Sequence, residues 1–335
     1  MTDGLDSRAE VRRGTLLGFA AYGLWGLFPL YFDALKPAGA FEILAHRILW
    51  TLLFCAVVLL VRRDLSWVRP LLARPRLLAG TAVAAVLIAV NWVVYVLAVT
   101  TGNTSDAALG YFLNPLVTVA LGVVVLGERL RVLQWVAVGI GVAAGVFLAV
   151  TGGRVPWIAI VLALSFALYG LTKKKIGVSL EALHGLTVET VVLAPVAVVT
   201  LAVVGAHGGL AFGQHGGVHT TLLVLSGVVT AVPLLCFAAA ARRIPLVTIG
   251  LIQFITPVMQ LLCAVLLLGE HLPRERWIGF AIVWVALLLL TADSLRGMRA
   301  GRASREQAEA MTRERSEGRE GREGRTTVPV DDCPR

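Results

Sequence analysis

The chain has 335 residues, of which 57% are hydrophobic and 15% charged, and its mean hydropathy is +0.81. That much apolar surface cannot be hidden inside one water-soluble core, which excludes an ordinary soluble domain and predicts a membrane protein. The formal net charge of +9 sits mostly in loop arginines and lysines, a membrane-topology signal and not a sign of a nucleic-acid partner.

A run of about 20 apolar residues crosses a hydrocarbon core roughly 30 Å thick as a helix. Ten such runs are expected, at 14–33, 42–61, 77–99, 105–126, 132–151, 156–172, 183–205, 219–241, 247–268 and 277–294. They are continuous, so they suit helices and not the short alternating segments of a barrel. The first follows Arg8, Arg12 and Arg13, is too long for a signal-peptide core and has no small-residue cleavage pattern, so it is expected to be retained. With the N terminus inside, the inside segments before the tail hold 15 Lys and Arg, whereas the outside loops hold four: Lys36, Arg154, Arg274 and Arg276. That asymmetry predicts ten spans with both termini cytoplasmic. Residues 295–335, rich in Arg, Glu, Gly and Ser, read as a disordered charged tail, with contact to anionic lipid an open role. Cys55, Cys236, Cys263 and Cys333 have neither metal-ligand nor redox spacing, and no cofactor or metal is expected.

Polar and aromatic residues inside the spans are the candidates for function. Tyr22 and Trp25 in the first span, with Asn91, Trp92 and Tyr95 in the third, could line a cavity that stacks an aromatic or lipophilic solute. Anchoring at the membrane interface is the alternative for the aromatics. An ionisable group in a span costs about 2.5 to 3.5 kcal/mol on insertion scales, so Glu42, His46 and Arg47 should be partnered or functional. Glu42 and His46 share a helix face. Arg47 points roughly 100° away and could hold a substrate anion or a carboxylate of another helix; an internal ion pair that fixes the span is the competing reading.

Asp106 opens the fourth span, where a carboxylate suits the positive end of the helix dipole. Tyr111 and Asn114 then precede Pro115, as Gln253 and Thr256 precede Pro257, and paired helix breaks point to a transporter site. Simple kinking is the alternative. Glu189 lies in the seventh span, the counterpart of the second, so the two halves bring a carboxylate to similar depth; with Glu42 and His46 it is a candidate for proton coupling, or else a structural hydrogen-bonding group. His207, His215 and His219 lack regular spacing, so metal binding there is disfavoured.

Residues Leu109 to Trp135 recur as Leu251 to Trp277, an offset of 142 without a gap, and nine of 27 positions are identical, including Phe112, Pro115, Gly127, Glu128 and Trp135. Five spans separate the two Gly-Glu loops, an odd number, so the loops face opposite sides and the repeats are inverted. In inverted-repeat transporters the solute binds between halves that rock against each other. Both Gly-Glu pairs read as structural exits from helices. The expected organisation is a cytoplasmic segment 1–13, a first repeat 14–151, a second repeat 156–294 and the tail 295–335.

Ala21-Tyr22, Trp25-Gly26, Pro29, Glu42-Ile43-Leu44, His46-Arg47, Asn91-Trp92, Leu109-Gly110-Tyr111-Phe112, Asn114-Pro115, Tyr169-Gly170-Leu171, Glu189-Thr190, Pro233-Leu234-Leu235 and Gln253 together resemble the RarD type of EamA permease, from about residue 14 to 294. Ala108, Leu97 and Phe254 depart from that pattern at positions that bear on site polarity. The resemblance implies ten transmembrane helices in two inverted five-helix EamA-type repeats, in the cytoplasmic membrane. It also implies a permease labelled by chloramphenicol sensitivity or resistance, a drug phenotype and not a natural substrate.

The expected function is secondary transport of a small metabolite or drug by alternating access, as a monomer or homodimer among membrane lipids. No nucleotide-binding loop, His-Glu-x-x-His or Gly-x-Ser-x-Gly pattern is present, which disfavours an ATP-driven pump and an enzyme. A non-transporting membrane sensor or scaffold is the alternative.

Overall fold

In lipid every backbone N–H and C=O must be satisfied within the protein, and a continuous apolar run does this by forming a helix. The computed structural model describes residues 2–126, 130–151, 155–176, 181–241, 243–244, 252–293 and 296. The Gly127-Glu128 loop, residues 245–251 around the start of the ninth expected span, and all of the 295–335 tail except Arg296 lie outside the described residues. The described elements are all helical: α1 (Thr2–Gly26), α2 (Phe28–Asp33), α3 (Ala40–Arg62), α4 (Val68–Leu72), α5 (Pro75–Thr100), α6 (Thr104–Leu126), α7 (Val132–Thr151), α8 (Trp157–Ile176), α9 (Ala182–Ala206), α10 (Gly216–Ala241) and α11 (Ile255–Leu262), then a π-helical segment Cys263–Leu267. A last helix, α12, covers Arg274–Asp293.

Among the described residues eight helices are long and apolar enough to cross a membrane, joined by two shorter apolar helices, Trp157–Lys173 and Ile255–Leu267. These segments fall on the apolar runs read from the sequence. Two features differ from that reading. The first run is not one helix but α1 and α2, broken at Leu27. Pro29 has no N–H to give the carbonyl one turn earlier, that of Trp25; Gln260 Nε2 donates to this oxygen instead, at 3.2 Å. The prolines of the repeat also behave unequally. Pro115 lies inside an unbroken α6, whereas Pro257 stands in the first turn of α11, where a missing N–H leaves nothing unpaired. The matched pair of helix breaks expected at Pro115 and Pro257 is therefore not formed at Pro115.

Residues Met1–Leu287 form one compact unit; in the second, Leu288–Arg335, the described residues 288–293 and 296 are helical. In the first unit the main helix contacts join segments before residue 152 to segments after 155. α5 and α6 pack on α8, α3 on α9 and α10, and α1 on α10 and α11. The core lies along these seams: Phe28, Phe32, Leu35, Ile43, Tyr95, Val96, Leu162 and Leu223 form one buried cluster, and Ile48, Cys55, Ile88, Trp92, Leu186 and Leu193 a second. Half of the most apolar stretch of α5 is buried (50%) against 22% for α7, so α5 is central and α7 peripheral. Leu60, Val61, Val124, Val150 and Leu266 are exposed, as side chains facing lipid should be.

The closest seam is between α3 and α10. Thr51 donates its hydroxyl to the Gly227 carbonyl at 3.4 Å, and a Cβ at Gly227 would overlap the backbone of Trp50 and Thr51. Gly227→Ala should therefore destabilise by about 1–3 kcal/mol, the cost of overpacking, and lower the unfolding temperature in detergent. Gly139→Ala, where a Cβ meets open space, should leave that temperature unchanged. An equal effect of the two would show that the α3–α10 seam is looser than described.

Candidate functional site

Arg47 stands two turns into α3, facing inward at 3% exposure. Its Nε donates to Thr230 Oγ1 at 2.7 Å, while the Thr230 hydroxyl is itself given to the Ser226 carbonyl at 2.8 Å. The guanidinium carbon lies 4.1 Å from the Trp92 ring centroid, 5.3 Å from Phe32 and 5.5 Å from Phe28. Rings at such distances attract a desolvated cation by about 2 kcal/mol, which offsets only part of the several kcal/mol that burying the charge costs. One Arg47 Nη is buried without a hydrogen-bond partner.

Tyr95 and Tyr111 continue this group, their ring centroids 5.6 Å apart, and Tyr95 also meets Phe32 at 5.9 Å. The Tyr111 hydroxyl donates to Asn91 Oδ1 at 3.1 Å. Asn91 Nδ2 donates to the Leu162 carbonyl and to Ser165 Oγ, both at 3.1 Å, which joins α5 and α6 to α8. The structure thus brings four of the expected solute residues together: Arg47, Asn91, Tyr95 and Tyr111.

Tyr22 and Trp25 form a second aromatic group with Phe237, at centroid separations of 5.3, 6.0 and 5.9 Å. Trp25 packs against both this group and the Phe28–Phe32 cluster. Thr256 donates to the Tyr22 carbonyl at 2.7 Å. Asn114 and Gln253 are half-buried; Asn114 Oδ1 accepts from Thr118 in its own helix at 3.5 Å, and Gln253 lies just before α11.

The three residues assigned to proton coupling lie apart. Glu42, at the start of α3, accepts backbone N–H groups of Ala211 at 2.9 Å and Phe212 at 2.9 Å, so its carboxylate caps the turn between α9 and α10. His46 stacks on Phe212 at 4.6 Å and accepts from Trp50 Nε1 at 3.2 Å; its Nε2 is 3.9 Å from Glu42, too long for a hydrogen bond. Glu189 forms an ion pair with Lys173 and accepts from the Tyr169 hydroxyl at 3.4 Å. α3 begins at Ala40 and α9 at Ala182, again 142 apart, so in register the counterpart of Glu189 is Arg47 and not Glu42.

Several polar contacts were not anticipated. Glu270 accepts the N–H groups of Thr104 and, at 2.9 Å, Ser105, and so caps α6 from across the molecule. Arg276 pairs with Asp106 at 3.0 Å and donates to Ser105 Oγ at 3.1 Å. Ser105, Asp106, Glu270 and Arg276 wall a cavity of about 690 Å³ that also reaches His271, Leu109 and Phe280. Beyond the far end of α3, Asp64 meets His184 at 2.8 Å, with Trp67 stacked on the imidazole at 4.7 Å. The repeated Gly-Glu pair was the available signal for Glu270. Gly269 has φ +68, the left-handed exit expected of a helix-ending glycine, but sequence spacing cannot name a cap 166 residues away.

The EamA-like transporter family model matches this chain twice, over residues 12–151 and 155–292. The chain belongs to the EamA-like transporter family. Within it the chain is a RarD-type permease: it is 50% identical to Protein RarD of Streptomyces exfoliatus, over 87% of this chain and 91% of that protein. It is also 41% identical to Protein RarD of Escherichia coli K12, over 87% and 97% of the two chains. A solved crystal structure with 19% identity shares the fold, with a TM-score of 0.53 over 83% of this chain and 97% of the other. This EamA protein is therefore a multi-pass membrane protein of a transporter family.

Glu270→Ala removes two charge-assisted hydrogen bonds at the α6 start and should cost about 1–2 kcal/mol. Glu270→Gln, which keeps one acceptor oxygen, should cost less. Thermal unfolding in detergent measures both, and unfolding temperatures equal to wild type would show that the cap contributes nothing.

Proposed function

We propose that the chain is a secondary transporter of the cytoplasmic membrane that moves a small metabolite or drug-like solute by alternating access. Ten crossings in two inverted five-helix repeats, 14–151 and 156–294, would place both termini inside. Two observations support this arrangement. The family model matches each half separately. The ion pairs and caps at helix ends also sort into two groups: Glu42, Glu270 and Arg276 with their partners at one end, and Glu10–Arg243, Asp64–His184 and Lys173–Glu189 at the other. Alternate crossing requires such sorting, and the loop charges assign the first group to the outside.

The observation that carries the solute site is Arg47. It is a buried cation at the seam of the halves, with one Nη unpartnered and aromatic rings around it. A charge kept in the interior without a full set of partners destabilises the resting protein, and contact with a solute at that point gives it a use. Export is the favoured direction, and chloramphenicol is one candidate solute. Proton coupling is assigned to Glu189, because protonation of its carboxylate would release Lys173 and free one end of the bundle.

Purified protein in liposomes, with an imposed pH gradient and a solute panel that includes chloramphenicol, tests the proposal. Wild type should move at least one solute, and Arg47→Ala should cut that flux by about tenfold or more while the protein stays monodisperse. Glu189→Gln should still exchange solute across the membrane but lose accumulation driven by the pH gradient. Absence of flux for the whole panel would count against transport; wild-type behaviour of both variants would return Arg47 and Glu189 to structural roles.

A further inference from the structure

The surroundings of Arg47 narrow the chemistry of the solute, given the reading of this chain as a transporter whose site contains that residue. Two polar groups here are buried without hydrogen-bond partners: one Arg47 Nη and the Tyr95 hydroxyl. Their side chains are 3% and 2% exposed, and both flank the Phe32 ring, the guanidinium carbon at 5.3 Å and the Tyr95 ring at 5.9 Å from its centroid. A buried donor left unpaired costs about 1–3 kcal/mol, and more if charged. Among the described residues no carboxylate forms a salt bridge with Arg47, so what this cluster lacks is an acceptor.

The geometry also restricts how an acceptor arrives. Trp92 covers the guanidinium at 4.1 Å and Thr230 holds Nε, so an oxygen group must approach the Nη end, near the Phe32 ring that Tyr95 also meets. The rings around the guanidinium are Phe28, Phe32 and Trp92, with Trp25 packed on the Phe28–Phe32 cluster. Flat rings favour offset or edge contact with another flat ring, and a planar carboxylate suits the planar guanidinium better than any neutral acceptor.

We propose that this site binds solutes in which a carboxylate is attached directly to a flat aromatic body, with the oxygens held by Arg47 and Tyr95 and the ring among Phe28, Phe32 and Trp92. The test is isothermal titration of the full-length protein in nanodiscs with three probes: naphthoate, naphthylamine and hexanoate. Naphthoate should bind at least about tenfold more tightly than either of the others, a difference of roughly 1.4 kcal/mol. Arg47→Met should remove that preference. If Arg47→Met fails to fold, Arg47→Lys, which keeps the charge but loses the planar edge, and Tyr95→Phe should each weaken naphthoate binding several-fold. Equal binding of naphthylamine, or naphthoate binding unchanged in Arg47→Lys and Tyr95→Phe, would overturn the assignment. Liposome flux separates this inference from the broader one. Flux of any solute without naphthoate binding sinks the aromatic-carboxylate site and leaves transport standing. Naphthoate binding that depends on Arg47, with no flux of any solute, supports the site and counts against transport.

Discussion

A polar group in a lipid-embedded bundle must find its partner inside the protein, and in this chain several of those partners lie in the other half. Arg47 reaches Thr230, Asn91 reaches Leu162 and Ser165, Glu42 caps Ala211 and Phe212, and Thr256 and Gln260 bond the carbonyls of Tyr22 and Trp25. Tyr31 donates to the Leu222 carbonyl, and Glu270 caps Thr104 and Ser105. Apolar packing brings the helices together without specifying their register, since lipid chains are nearly as apolar as leucine. These bonds supply the register. An unmade one would leave a polar group in a medium that cannot solvate it, so each ties one half to the other at a fixed height.

The break at Leu27 shows how such a tie is made. Pro29 withholds one N–H, the Trp25 carbonyl is left over, and Gln260 occupies it from α11. Next to it, Cys263 Sγ lies 3.8 Å from the Gly26 carbonyl, and Thr256 meets the Tyr22 carbonyl one turn earlier on α1. A defect that would weaken an isolated helix thus becomes the attachment point for the helix after the second repeat's proline. The sequence contained both ingredients, Pro29 and the polar residues after Gln253, but nothing in their spacing connected them.

The same division runs through what could be read beforehand. Apolar runs of span length, and polar residues standing out within them, are local properties, so the helices were legible and Arg47, Asn91, Tyr95 and Tyr111 stood out as polar residues within them. Partnerships were not, because a carboxylate in a span carries no mark of what it meets. Glu42 stood out as a carboxylate within a span, but nothing near it marked the turn at residue 211 that it caps; Glu270 stood out as part of a helix exit, but nothing near it marked α6, which it caps. Pro115 and Pro257 occupy matched positions in the repeat, yet only Pro257 falls at a helix start, so identity of residue did not carry identity of backbone.

The register shared by α3 and α9 sharpens the consequence of that divergence. Where one copy has Arg47, buried among aromatic rings with an unpartnered Nη, the other has Glu189, already paired with Lys173 and Tyr169. Two inverted halves with the same residue at this position would present the same chemistry to each side. With opposite charges, one half holds a cation that lacks a counter-ion and the other an anion that has one. Charged groups hold both ends: carboxylates on backbone N–H groups of Ala211, Phe212, Thr104 and Ser105, with the Arg276–Asp106 pair, at one, and Lys173 with Glu189 and Arg243 with Glu10 at the other. The partly exposed Glu10–Arg243 pair separates at lower cost than a carboxylate leaves buried backbone amides, because water replaces its partners as they part. In the proposed inverted arrangement, this difference between Arg47 and Glu189 would make the two packings unequal in energy.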